Sequence, residues 1–148
     1  MSIKNIGPLY RLHKENICTQ RNITTAGLVD GEAIDKLENR AALLTLLDVI
    51  LDEHREKYSS ILNPLRGRAA LTHLILSKYK WPIEHIESMS ILHSVLAIQD
   101  ELKLAESTNV GKDFLERISA DYYTVPFEDF PDTDWDPVTY ERLQSQRY

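Results

Sequence analysis

From Gly31 to Leu62 the chain carries no proline and no interior glycine, and Ile34, Leu37, Ala41, Leu44, Leu47, Leu51, His54, Tyr58 and Ile61 follow one another at steps of three and four. That spacing lays them along one face of a single long helix, or of two nearly collinear ones, spanning roughly 48 Å. Asp30 stands where an N-cap belongs. In the middle, Leu43, Leu46, Val49 and Ile50 add apolar surface on the other sides, so the pattern predicts a central helix surrounded by protein. Its ends are polar, with Glu32 and Lys36, and Glu53 and Lys57, in the acid-first order that suits a solvated helix face. A periodic run of this length is also compatible with a homodimer through the 31–62 helix, the alternative being a helix packed wholly within one subunit.

The same periodicity continues downstream. Asn63 and Pro64 read as the start of a second helix to about Lys80, with Leu65, Ala69, Ala70, Leu71, Leu74, Ile75, Leu76 and Tyr79 as its apolar set. After Trp81 and Pro82, Ile91, Val95, Ile98, Leu102 and Ala105 recur at heptad-like steps beside Ile86, Met89 and Leu96, which predicts a third helix to about Ala105. Asn109 is a cap for a fourth, through about Ala120, and Asp136 with Pro137 starts a short last one to about Gln146. No run of four to eight residues alternates strictly between apolar and polar, so strands have no support. The expected fold is all-α, a helical bundle of four to five helices with one long central helix and an irregular acidic C-terminal segment. Three regions follow from this: a partly helical N-terminal extension over 1–29, the bundle over 30–120, and the acidic aromatic segment with its short helix over 121–148.

Composition narrows the class. The 148 residues are 43% hydrophobic, enough for one domain with its own core. A lone Cys18 rules out an internal disulfide framework, and no secretory pattern or membrane-length apolar run is visible, so the expectation is a cytoplasmic chain with no membrane partner. The net charge of −6 is unevenly spread. Lys4, Arg11, Lys14 and Arg21 against Glu15 make the N-terminal stretch basic. Arg66, Arg68, Lys78 and Lys80 make 63–81 basic with no acid in it. Glu128, Asp129, Asp132, Asp134 and Asp136 make 122–136 acidic with no base in it.

That acidic stretch also holds Tyr122, Tyr123, Phe127, Phe130 and Trp135. Aromatic anchors ringed by carboxylates suit a protein partner with a basic surface, so the expected partner-binding residues are Tyr122, Tyr123, Phe127, Glu128, Asp129, Phe130, Asp132, Asp134, Trp135 and Asp136. Pro126, Pro131 and Pro137 would preorganise it. The competing reading is an intramolecular strap whose rings fill the bundle's own core while its acids face water. The expected role is a non-enzymatic module, an inhibitor, antitoxin, immunity protein or accessory subunit of a nucleic-acid-handling partner.

Catalytic chemistry has few carriers. Arg68 and His73 fit the spacing R-x4-H, which resembles the motif of the HEPN-type ribonucleases, with Ala69 where that family usually has a polar residue. The resemblance covers six residues and implies an enzyme alternative, with His73 as general acid or base and Arg68 stabilising phosphate charge. A DNA-binding regulator using the basic N-terminal and 63–81 segments is the third reading. Arg66 and Arg68 point about 200° apart on a helix, which does not make a phosphate clamp or favour direct nucleic-acid binding. Asp48, Asp52 and His54 do not share one helix face, no Gly-rich phosphate loop occurs, and Cys18 has no local base, so no metal, cofactor or nucleophile is expected.

Overall fold

The computed structural model describes residues 6–28, 30–118 and 125–145, and the described residues form an all-α architecture. Its eight helices are α1 Ile6–Arg21, α2 Gly31–Tyr58, α3 Ala69–Tyr79, α4 Ile83–Glu87, α5 Ile91–Ala97, α6 Gln99–Ser107, α7 Asn109–Arg117 and α8 Thr139–Ser145, with one 3-10 turn at Asp132–Asp134. No described helix is long and apolar enough to cross a membrane.

The centre is α2. The Asp30 carboxylate accepts from the Glu32 and Ala33 amides at 3.0 and 3.4 Å, and Lys36 pairs with Glu32 at 3.2 Å. Between Arg40 and Asp52 every residue except Leu43 is buried, as apolar surface on all sides requires. The cover comes from the same chain: α1, α3 and α6 lie against α2. Helix α1 buries Leu9, Tyr10, His13 and Ile17, so residues 6–21 share the core of the helices that follow. Tyr10 meets Phe114 of α7 edge-on, with ring centroids 5.4 Å apart.

Four to five helices become eight because the expected third helix is cut into α4, α5 and α6 and because α1, expected as part of an N-terminal extension, packs into the bundle. The expected third helix is cut at Ser90, whose side chain accepts from the His93 amide to cap α5, and again at Ile98, where the backbone leaves helical geometry. Ile91, Val95, Ile98, Leu102 and Ala105 are nevertheless all buried. Their spacing reports which way side chains face and is indifferent to breaks in the backbone between them. Near Asn109 the cap is Thr108, which accepts from the Gly111 amide and donates to the Ala105 carbonyl. A side chain at Gly111 would collide with that carbonyl, so only glycine lets α7 turn against the end of α6.

The other boundary shifts occur where α2 ends. Instead of reaching Leu62, α2 stops at Tyr58, and α3 begins at Ala69 rather than Pro64. The Ser59 and Ser60 hydroxyl oxygens accept from the Leu65 and Asn63 amides, local bonds that compete with helix continuation. Arg55 reaches past the helix end to donate to the Leu65 carbonyl at 2.7 Å and the Gly67 carbonyl at 3.1 Å. Gly67 sits at φ +56, and its amide donates to Glu141 of α8 at 2.6 Å. Residues 59–68 are therefore an ordered loop.

Candidate functional site

The acidic aromatic segment, over its described residues 125–137, is tied down across α1 and α2. Tyr122 and Tyr123 lie outside the described residues. Asp134 is fully buried. Its carboxylate accepts from Arg40 Nη1 at 2.5 Å, from Arg21 Nε at 3.1 Å and from Arg21 Nη2 at 2.8 Å. Arg40 Nη2 also donates to the Asp129 carbonyl, and Arg21 Nη1 to the Asp129 carboxylate. The two guanidinium groups lie over two rings of the segment, Arg21 on Phe127 at 3.7 Å and Arg40 on Phe130 at 3.8 Å. Trp135 is 4% exposed and its Nε1 donates to Asp48 Oδ1, while Asp48 Oδ2 is hydrogen-bonded to His13 Nε2 at 2.6 Å.

The orientation expected for this segment needs correction. Trp135 and Asp134 face inward, and Phe127 and Phe130 are part-buried against the core, so these four do not form an outward row of anchors. The physical reason is charge. Arg40 is buried and Arg21 part-buried, and both guanidinium groups pair with the carboxylate of Asp134, which holds the segment inward with its rings against them. Burial pulls the Arg40 guanidinium below its ordinary value and Asp134 opposes that pull. The Arg21 guanidinium stands above its ordinary value: burial, the largest influence, pulls it down, and the Asp134 and Asp129 carboxylates outweigh it. Asp136 turns inward along its own chain, accepting from the Val138 amide and from Arg142. What remains outward is a carboxylate edge of Glu128, Asp129 and Asp132. Of these, Asp132 accepts from the Ile91 amide at 2.7 Å, which joins the edge to the first turn of α5.

Arg68 and His73 are given separate tasks. Arg68 donates to the Met89 carbonyl at 2.7 Å, holding the turn between α4 and α5, whereas His73 Nδ1 is 2.7 Å from His54 Nε2 of α2 with Tyr58 beside both rings. Burial, with the neighbouring His73 and then Lys57, pushes the His54 imidazole down to about 4. Two bases of the basic segments are engaged, Lys78 with Glu101 and Asp100 and Arg21 with the strap, while Arg11, Arg66 and Lys80 are exposed. Cys18 lines a groove between α1 and α2, and burial raises its thiol above the ordinary value, the reverse of an activated nucleophile. Among the described residues, no group of three or more His, Cys, Asp or Glu side chains is placed to hold a metal.

Two apolar surfaces that sequence patterning did not single out face solvent. The first is a shelf where α3 gives way to α4 and α5. Tyr79 stacks on Trp81 with centroids 4.4 Å apart, Trp81 meets His85 edge-on, and the Tyr79 hydroxyl donates to the Ala97 carbonyl. Ile83 of α4 is exposed, as are Leu92 and Leu96, one turn apart on α5, with Leu96 at 59%. Glu84 and Glu87 flank it as exposed acids, and Lys80 as an exposed base. The second is the tip of the 59–68 loop, where Ile61 is 99% and Leu62 96% exposed. Patterning placed Ile61 on the buried face of α2, and it escapes because the helix ends three residues earlier. Leaving two such side chains in water forgoes roughly 1.5–3 kcal/mol each. No family model, no curated protein and no solved structure matches this chain.

Proposed function

We propose that this chain is a non-enzymatic protein-binding module, an inhibitor, antitoxin, immunity protein or accessory subunit, that engages a partner with a basic surface of the kind nucleic-acid-handling proteins carry. One observation supports this most: the outward carboxylates Glu128, Asp129 and Asp132 adjoin α5 through the Asp132 bond to the Ile91 amide, and α5 exposes Leu92 and Leu96. Carboxylates steer and orient a basic partner, while aliphatic and aromatic side chains supply the area that holds it. The division of labour differs from an all-in-one acidic aromatic ribbon. Here the strap's rings anchor the strap itself, and the shelf contributes the apolar contact. Because Arg21 and Arg40 clamp the strap, its acids would be ordered before binding and little entropy would be lost on association.

The test is affinity capture from the native host at low and moderate salt with three baits: the natural chain, Glu128→Lys and Leu96→Asp. Both substitutions fall on exposed side chains, so melting temperatures should agree within the error of the scan. A basic prey held by the natural chain and lost with both variants supports the reading. A prey retained equally by all three baits removes it.

A further inference from the structure

We infer that the 59–68 loop is a docking plug for the α3–α5 shelf of a second copy of this chain. The inference rests on the shelf being a docking surface, as proposed above, and supplies a partner for it. Three observations carry it. The loop is built to hold its tip outward: the Ser59 and Ser60 hydroxyl oxygens, the two Arg55 donations and the Gly67–Glu141 bond fix its backbone while Ile61 and Leu62 stand almost wholly in water. A rigid tip loses little conformational freedom when it is buried. Lys57 and Arg66 are exposed bases on either side of the tip, with Arg55 and Arg68 part-buried behind them, and outnumber the exposed Glu56 and the part-buried Glu141 that holds the Gly67 amide. The shelf is apolar as well, and its exposed flank carries Glu84 and Glu87 against Lys80, while Lys78 beside it is already paired with Glu101 and Asp100.

The charges also decide the geometry. Two loops meeting tip to tip would bring Lys57 and Arg66 against their own copies, a like-charge arrangement that costs affinity. Loop against shelf pairs opposite charges and buries both apolar surfaces. Loop and shelf sit at opposite ends of α3, so the contact is head-to-tail, and each copy keeps one unused surface until a ring closes.

Sedimentation velocity from micromolar to near-millimolar protein tests this with two variants, Ile61→Asp/Leu62→Asp and Leu92→Asp/Leu96→Asp. The natural chain should show species heavier than the monomer that grow with concentration and shrink as salt screens the flanking charges. Each variant alone should lose them completely. Mixing the two variants should restore a dimer and nothing larger, because the intact loop of one meets the intact shelf of the other. If the shelf variant loses its helical circular dichroism, Glu84→Lys/Glu87→Lys replaces it; alone it should not self-associate, and association should return, between the two variants, when it is mixed with Lys57→Glu/Arg66→Glu. A natural chain that stays monomeric throughout, heavier species that survive either variant, or a mixture that stays monomeric overturns the inference. The shelf reading would still stand if Leu96→Asp loses a basic prey in the capture experiment.

Discussion

Replacing Asp134 with alanine should unlock the strap, and the cost can be worked from its contacts. The substitution leaves Arg40, whose side chain is 4% exposed, without the carboxylate it pairs with among the described residues, while its Nη2 keeps main-chain carbonyls. Removing one member of a buried pair costs about 3–5 kcal/mol, because the remaining charge is stranded away from water. Arg21 loses less. Its side chain is more accessible and keeps Asp129, an exposed pair of the kind contributing about 1 kcal/mol or less. A total near 4 kcal/mol is a large share of the ~5–15 kcal/mol that holds a domain together. At ~2–4 °C per kcal/mol for a chain of about this size, the melting temperature should fall by roughly 8–16 °C. Urea denaturation at neutral pH measures the change directly, provided the slope stays constant. The control is Asp134→Ala with Arg40→Met, which removes the stranded charge and leaves an apolar stem against Phe130. It should recover all but about 1–2 kcal/mol. A loss below about 1 kcal/mol for the single variant, or a double variant no more stable than the single, would refute the idea that a buried charge pair latches the strap.

Two further outcomes follow from the same core. Trp135→Ala should cost about 3–5 kcal/mol by leaving a cavity beside Asp48. In a Trp81→Phe background the remaining indole should emit at short wavelength and resist iodide quenching, and a solvent-like spectrum would contradict the inward placement. His54 governs an acid limb: its folded value of about 4 lies below the ordinary 6.5, so between these values the unfolded chain binds the proton first. Its contribution is complete above about pH 6.5 and falls by up to ~2–3 kcal/mol as pH drops toward 4. Urea midpoints across that range should fall less steeply in His54→Gln, and identical slopes would show that the His54–His73 contact does not respond to protonation.

The all-helical class, the Asp30 cap and most of the inward stripes of α2, α3, α5 and α6 were legible in the sequence, because burial of one helix face imposes a local period that survives even when Ser90 and Ile98 break the backbone. Tyr58, Tyr79 and Leu96 are the large members of those stripes that face solvent. Charge segregation and the unusual character of 125–136 were legible too. Which way that segment faces was not, because an aromatic ring beside a carboxylate reads the same whether it meets a partner or its own core. The decision lay with Arg21 and Arg40, more than eighty residues away, one part-buried and the other buried, which give Asp134 and Phe130 somewhere to go. Arg68 and His73 were paired by spacing and take different partners in the fold, one the Met89 carbonyl and the other His54. The exposure of Ile61 and Leu62 likewise followed from where α2 stops, before Ser59 and Ser60, whose hydroxyl oxygens accept from the loop's own amides while Arg55 holds the loop through Leu65 and Gly67. Local periodicity tells which side chains leave water; long-range pairing of charges and carbonyls decides where irregular segments lie and which surfaces stay uncovered.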